Sequence, residues 1–310
     1  MLHKGGVTFE SRLATKFFST CLALMIAFSV VAFTHASESK TPTPLDRKEG
    51  DEVKLNDAWS YLSTGNKDQD KYLESLFIFL HKEFESIFGT DVVNGIKCTI
   101  YNDKDAESPF IHYVSDKELK IRLHLSSTIY WCQVVFQLAH EMTHYIFCQT
   151  YEYKKLFGSK WNEEIVCEAM ALYMLKQLAD KWKECTLSAY DRARRTPYSS
   201  SIYTYVADER KKGADYVLKS SQAPITLSEF AEFNKTSGSD RENHRAETNY
   251  LYDLLITWEK EQIKPIILEM YQYLKEDCYI DYETWICEAK YPDVIEKLSK
   301  IQPNIVRTVP

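Results

Sequence analysis

His140-Glu141-Met142-Thr143-His144 brings together the side chains of this sequence best able to do chemistry. Two histidines four residues apart on a helix leave one face about one turn apart, so both imidazoles can address a single cation. The glutamate between them can then reach a water held by that cation, and the pattern as a whole is that of zinc-assisted hydrolysis. A catalytic zinc uses three protein ligands and keeps a fourth position for solvent, so a third ligand must be sought elsewhere in the chain. The segment Trp161-Asn162-Glu163-Glu164-Ile165-Val166-Cys167-Glu168 offers it. Glu164 and Glu168 stand four apart among Ile165, Val166, Ala169, Leu172 and Leu175. Two carboxylates stacked on an apolar helix repel each other and resist burial unless something compensates them. A zinc ion would neutralise Glu164, and the free ring N–H of a ligating histidine would satisfy Glu168. Glu163 is the competing register, but the residue four beyond it is Cys167 and not an acid.

The HExxH pattern resembles that of the gluzincin zinc peptidases, in which the ligand glutamate follows the second histidine on a later helix and an acid lies four residues further on. Here His144 to Glu164 is twenty residues and Glu164 to Glu168 is four, over about forty residues of similarity. The resemblance implies His140, His144 and Glu164 as zinc ligands, Glu141 as general base, and Glu168 at the outer-shell position where an aspartate is usual. Glu163, nineteen residues after His144, has the spacing seen in gluzincin aminopeptidases. The metzincin pattern does not fit, because Phe147 and Thr150 occupy the positions where it requires Gly and His. The family also places a His or Tyr to stabilise the oxyanion, for which His244 or one of the tyrosines is the candidate. It further pairs an extended substrate with an edge strand before the active helix, a role open to residues 119–125.

These residues need elements to hold them. Helical periodicity begins near Asn56, lapses at Ser63-Thr64-Gly65-Asn66 and resumes over 72–88. Three strands are expected at 96–101, 110–114 and 119–125, after which Ser126-Ser127 can cap the HExxH helix. A second helix is expected over 161–181, a loop at 196–201, and helices over 227–233, 246–260 and 263–276. The fold class is therefore α+β and predominantly helical: a zincin-like core with a small antiparallel or mixed sheet on the HExxH helix, and a helical C-terminal part. With nine Gly and nine Pro in 310 residues, turns are too scarce for an all-β sandwich.

Residues 1–36 read as a signal peptide. Lys4, Arg12 and Lys16 precede an apolar run at 17–33, and Thr34-His35-Ala36 puts small residues at the cleavage positions. An uncleaved anchor is the alternative. The expected division is a signal peptide at 1–36, a flexible leader at 37–55, a catalytic core at 56–185 and a helical subdomain at 186–310. Export, to a periplasm or the exterior, favours disulfides. Seven cysteines follow the signal, an odd number, and Cys278 and Cys287 could close a local loop. Asn234-Lys235-Thr236 fits an N-glycosylation acceptor. His112 and His124 are expected to pack across strands, and His244 to be solvated among Arg241, Glu242 and Arg245. The formal charge of −7 offers no footprint for nucleic acid. The expected function is an exported metallopeptidase with one Zn2+ acting on a peptide or protein substrate. The alternatives are a non-catalytic zinc- or partner-binding protein and a zinc amidase acting on non-peptide amides.

Overall fold

A computed structural model describes residues 50–306, apart from residues 151–157, Asp277 and the side chains of Thr150 and Ala193. The signal peptide expected at 1–36 and most of the leader lie outside the described residues. Strands β1 (Glu52–Lys54), β2 (Trp59–Leu62), β3 (Lys97–Asn102), β4 (Phe110–Ser115) and β5 (Glu118–Leu123) form one mixed sheet in the order β1-β2-β3-β5-β4. β1 and β2 are antiparallel, β2, β3 and β5 run parallel, and β4 returns antiparallel to β5. The sheet starts inside the interval expected to be leader. It also claims Trp59–Leu62, where a helix was expected, because Trp59, Ser60 and Tyr61 pair with Cys98, Thr99 and Ile100. The sequence-expected strands at 96–101, 110–114 and 119–125 are present as β3, β4 and β5 to within a few residues.

Three long helices cover this sheet and form the core: α1 (Lys67–Phe88), α2 (Trp131–Thr150) and α3 (Lys160–Asp180). Asn66 starts α1 by accepting hydrogen bonds from the N–H groups of Asp68 and Gln69, and Gly89 ends it at φ 92°, where a side chain would be strained. α2 carries HExxH. Its Val134, Val135, Leu138, Ala139, Met142, Tyr145, Ile146 and Phe147 are all buried, so the helix is apolar around most of its circumference and is a core helix. It begins at Trp131, beyond the serines expected to cap it. α3 is buried along nearly its whole length and packs on α2.

The C-terminal half closes on α3 through α4 (Tyr198–Lys211), α5 (Leu227–Ser237), α6 (Arg245–Leu255), α7 (Lys260–Leu268), α8 (Tyr282–Glu288) and α9 (Pro292–Leu298). A single 3-10 turn, Met270–Tyr273, follows α7 where the sequence periodicity suggested continued helix. The Trp161 indole N–H donates to the Ile301 carbonyl at 2.7 Å, and the Asn162 amide to Gln302 Oε1 at 3.2 Å, so late chain is pinned to the first turn of α3. The described chain is thus α+β, mostly helical, with a small mixed sheet and one continuous apolar core. Among the described residues no helix is long and apolar enough to cross a membrane.

Two expectations fail in this region. Asn234 is buried: its Oδ1 accepts from the Trp161 N–H at 2.9 Å and its amide donates to the Gly158 carbonyl, so it caps α3 and is closed to a glycan. Cys287 is a thiol, so the 278–287 loop is not closed by a disulfide; Cys98, Cys132, Cys148, Cys167 and Cys185 are thiols as well.

Candidate metal centre

α2 and α3 lie side by side, and four donors converge between them. The Nε2 atoms of His140 and His144 are 3.2 Å apart. Glu164 Oε2 stands 3.4 Å from His140 Nε2, and its Oε1 is 3.8 Å from His144 Nε2. A tetrahedral cation with bonds of about 2.0–2.2 Å to N and O sets its ligand atoms about 3.3–3.5 Å apart. The first two separations match that edge length, and the third, made by the other Glu164 oxygen, is longer, so one oxygen must shift for a single atom to serve both nitrogens.

Glu163 takes a different place from Glu164. Its Oε1 lies 2.6 Å from His144 Nδ1, on the side of the ring away from His140, and the Tyr271 hydroxyl donates to its other oxygen. A carboxylate only accepts, so Nδ1 of His144 carries a hydrogen, and in the neutral ring Nε2 is the nitrogen left with a lone pair for a cation. The carboxylate that orients a histidine is therefore Glu163, and not Glu168 as expected. Glu168 instead is ion-paired with Arg241, whose Nε lies 2.5 Å away, accepts from Thr248 Oγ1 at 3.5 Å and stands 3.9 Å from His244 Nδ1. Arg241 also reaches Glu209 at 3.3 Å and lies over the Phe136 ring.

His244 is fully buried, contrary to its expected solvation. The charges around it are paired, Arg241 with the buried Glu168 and Arg245 with the partly exposed Glu242, and the His244 edge meets the Trp161 ring. Its Nε2 has no hydrogen-bond partner. Burial lowers its pKa, with Glu168 and Glu164 pulling the other way. His112 packs between Phe110 and Tyr101 as expected of a strand histidine, and the His124 backbone is held by Gln137.

Electrostatics mark the same cluster. Burial raises the Glu164 pKa, but the hydrogen bond from His140 and the charges of His144, His140 and His244 outweigh it and bring it down to about 2. Burial lifts the Glu141 carboxyl above its ordinary value, partly offset by His140 and His144. Burial works against charge on His144, yet the Cys167 sulfur and the Glu163 carboxylate hold its pKa well above the usual imidazole range.

Cys167 is the residue that sequence reasoning passed over. It is buried, and one donor atom from each of His140, His144 and Cys167 lies within 4.8 Å of the other two, a group that could hold a metal ion. The signal was its place on α3, three residues after Glu164 and on the same helical face. Tyr271 carried no such signal, being 108 residues from Glu163.

The strand beside the centre also differs from expectation. β5, which covers most of residues 119–125, is flanked by β3 and β4 and has no open edge; among the described residues β1 and β4 are the terminal strands, with Phe110, Tyr113 and Val114 exposed along β4. No family model, no curated protein and no solved structure matches the chain.

Proposed function

We propose that the chain is an exported zinc metallopeptidase of gluzincin type, with His140, His144 and Glu164 as ligands. The observation that carries this reading is the convergence of His140 Nε2, His144 Nε2 and the Glu164 carboxylate at 3.2–3.8 Å beside the buried Glu141. Export rests on the sequence of residues 1–36 alone.

When bound, zinc supplies a Lewis acid that polarises the scissile carbonyl and acidifies water. Glu141 accepts the proton of the attacking water on its carboxylate and passes it to the nitrogen of the leaving amine. Its raised pKa brings base and conjugate acid closer to neutral pH, where proton transfer in both directions is efficient. Glu163, itself held by Tyr271, keeps His144 in the tautomer that presents Nε2. His244, fully buried with an unpartnered Nε2, is the candidate that the resemblance leaves for a developing oxyanion. The open side of β4 offers backbone groups to an extended substrate, which supports a peptide over a small amide.

Cys167 favours a second reading, a non-catalytic zinc protein, because a closed four-ligand site is the structural kind. Metal analysis and cleavage of a mixed peptide library, wild type against Glu141→Gln, separate the two. Peptidase action requires one zinc in both proteins and a loss of cleavage of about 10²–10⁴-fold in the variant. Cleavage undiminished in Glu141→Gln rejects it.

A further inference from the structure

We infer that the Cys167 thiolate is a fourth, removable ligand of the cation held by His140, His144 and Glu164. The resting centre is then closed and thiophilic, and must release this sulfur before water or substrate can take its place. This rests on the zinc-centre reading above and adds to it a ligand and a state.

Most buried cysteines are small hydrophobes, and Cys98, Cys132 and Cys185 fit that description among the described residues. Cys167 differs in its neighbours. Its sulfur belongs to a group in which the donor atoms of both HExxH histidines lie within 4.8 Å, whereas Cys148, one turn along α2 from His144, is outside that group. The helices contribute symmetrically: α2 presents two nitrogens four residues apart, and α3 presents the Glu164 oxygens and the Cys167 sulfur three residues apart. Two nitrogens, an oxygen and a sulfur make a complete tetrahedral set.

With Zn–S about 2.3 Å and Zn–N about 2.0–2.1 Å, a tetrahedral site puts sulfur and nitrogen about 3.6 Å apart. From within 4.8 Å of one ring nitrogen of each histidine, the sulfur needs an approach on the order of 1 Å, a displacement on the scale of a side-chain torsion change. The same short excursion withdraws it. Ligation exchanges the thiol proton to solvent for a sulfur–metal bond, and release reverses this with no redox change. A thiolate beside two imidazoles selects Zn2+, Co2+ or Cd2+ over Mg2+, Ca2+ and Mn2+.

The test loads the full chain with Co2+ and records its absorption. Sulfur-to-cobalt charge transfer in the near ultraviolet, together with intense tetrahedral visible bands, is expected in the wild type. Cys167→Ser and Cys167→Ala should lose the near-ultraviolet band, still bind cobalt, and bind it at least roughly 10-fold more weakly, no less than the loss of an outer-shell partner. A peptide hydroxamate, which takes two coordination positions, should abolish the band in the wild type. Cobalt bound without the band in the wild type overturns this inference and leaves the peptidase reading standing. A band that persists with the hydroxamate bound overturns the removable character of the ligand. Failure of the wild type to take up cobalt or zinc overturns both.

Discussion

The Glu163 carboxylate is held between His144 and Tyr271 with almost no solvent exposure, so its work is done on one imidazole. Removing the hydroxyl in Tyr271→Phe, or the charge in Glu163→Gln, should weaken zinc binding by roughly 10–100-fold, read by competition with a chromophoric chelator. A merely structural role would lower thermal stability and leave the dissociation constant of the folded protein unchanged. The pH dependence follows from the raised pKa of metal-free His144. A proton bound there must leave before Nε2 and Nδ1 can serve cation and Glu163 together. Zinc affinity should therefore rise with pH across the neutral range, and zinc addition in weak buffer should release protons; equal affinity at acid and neutral pH would refute this.

At the scale of elements, the Arg241 guanidinium joins the segment before α6 to α3 and α4 through Glu168 and Glu209, both of them buried carboxylates. Arg241→Met strands these charges, although Lys212 remains 2.7 Å from Glu209. The Arg241 side chain is itself 34% exposed, so the loss should fall toward the lower part of the range for a broken buried pair, about 2–4 kcal/mol, visible as a lowered Tm. An unchanged Tm would show that the network is solvated in solution. β4 gives a second test. N–H directions alternate along a strand, so one of His112→Pro and Tyr113→Pro removes a donor facing the open edge and leaves the β5 ladder intact. That variant should fold, keep zinc and raise KM with little change in kcat, as expected when uniform binding is lost. Two folded variants with unaltered KM would exclude strand addition there. The elements that could be read from sequence carry either a local period or an apolar run of their own length: α1, α2, α3, β3, β4 and β5. β2 could not, because Trp59, Tyr61 and Leu62 fit a helix start as well as a strand, and only the distant partner Cys98–Ile100 decides between them. HExxH and Glu164 were legible because their spacing is the one that a shared metal ion would impose. The contacts of Glu163 with His144 and Tyr271 and the burial of His244 were not, since they depend on the turn after α7 and on the segment before α6 folding back over α3. The charged neighbours of His244 looked like solvated surface until their partners inside the fold were visible.

For the whole molecule, the cost of a metal centre would appear on removal of its cation. His140, His144, Glu163 and Glu164 then share a largely buried space in which their mutual pairing, with the Tyr271 hydroxyl on Glu163, offsets their burial. Ligand linkage predicts that zinc at 100 times its dissociation constant adds about 2.7 kcal/mol to folding, so chelation should lower Tm and re-addition should restore it. Acid acts on the metal-free protein through Glu164. Its folded pKa, about 2, lies below its ordinary value of 4.5, so the native state holds the carboxylate more tightly ionised than the unfolded chain does. The stabilisation is complete above the ordinary value and disappears as pH falls from about 4.5 to about 2, because the unfolded chain takes up the proton first. Thermal scans of metal-free wild type should thus show Tm falling through that interval, and Glu164→Gln should show a shallower fall from a lower plateau. Identical slopes in the two proteins would mean that Glu164 does not pair with the histidines in solution, and the three-ligand centre would lose its oxygen donor.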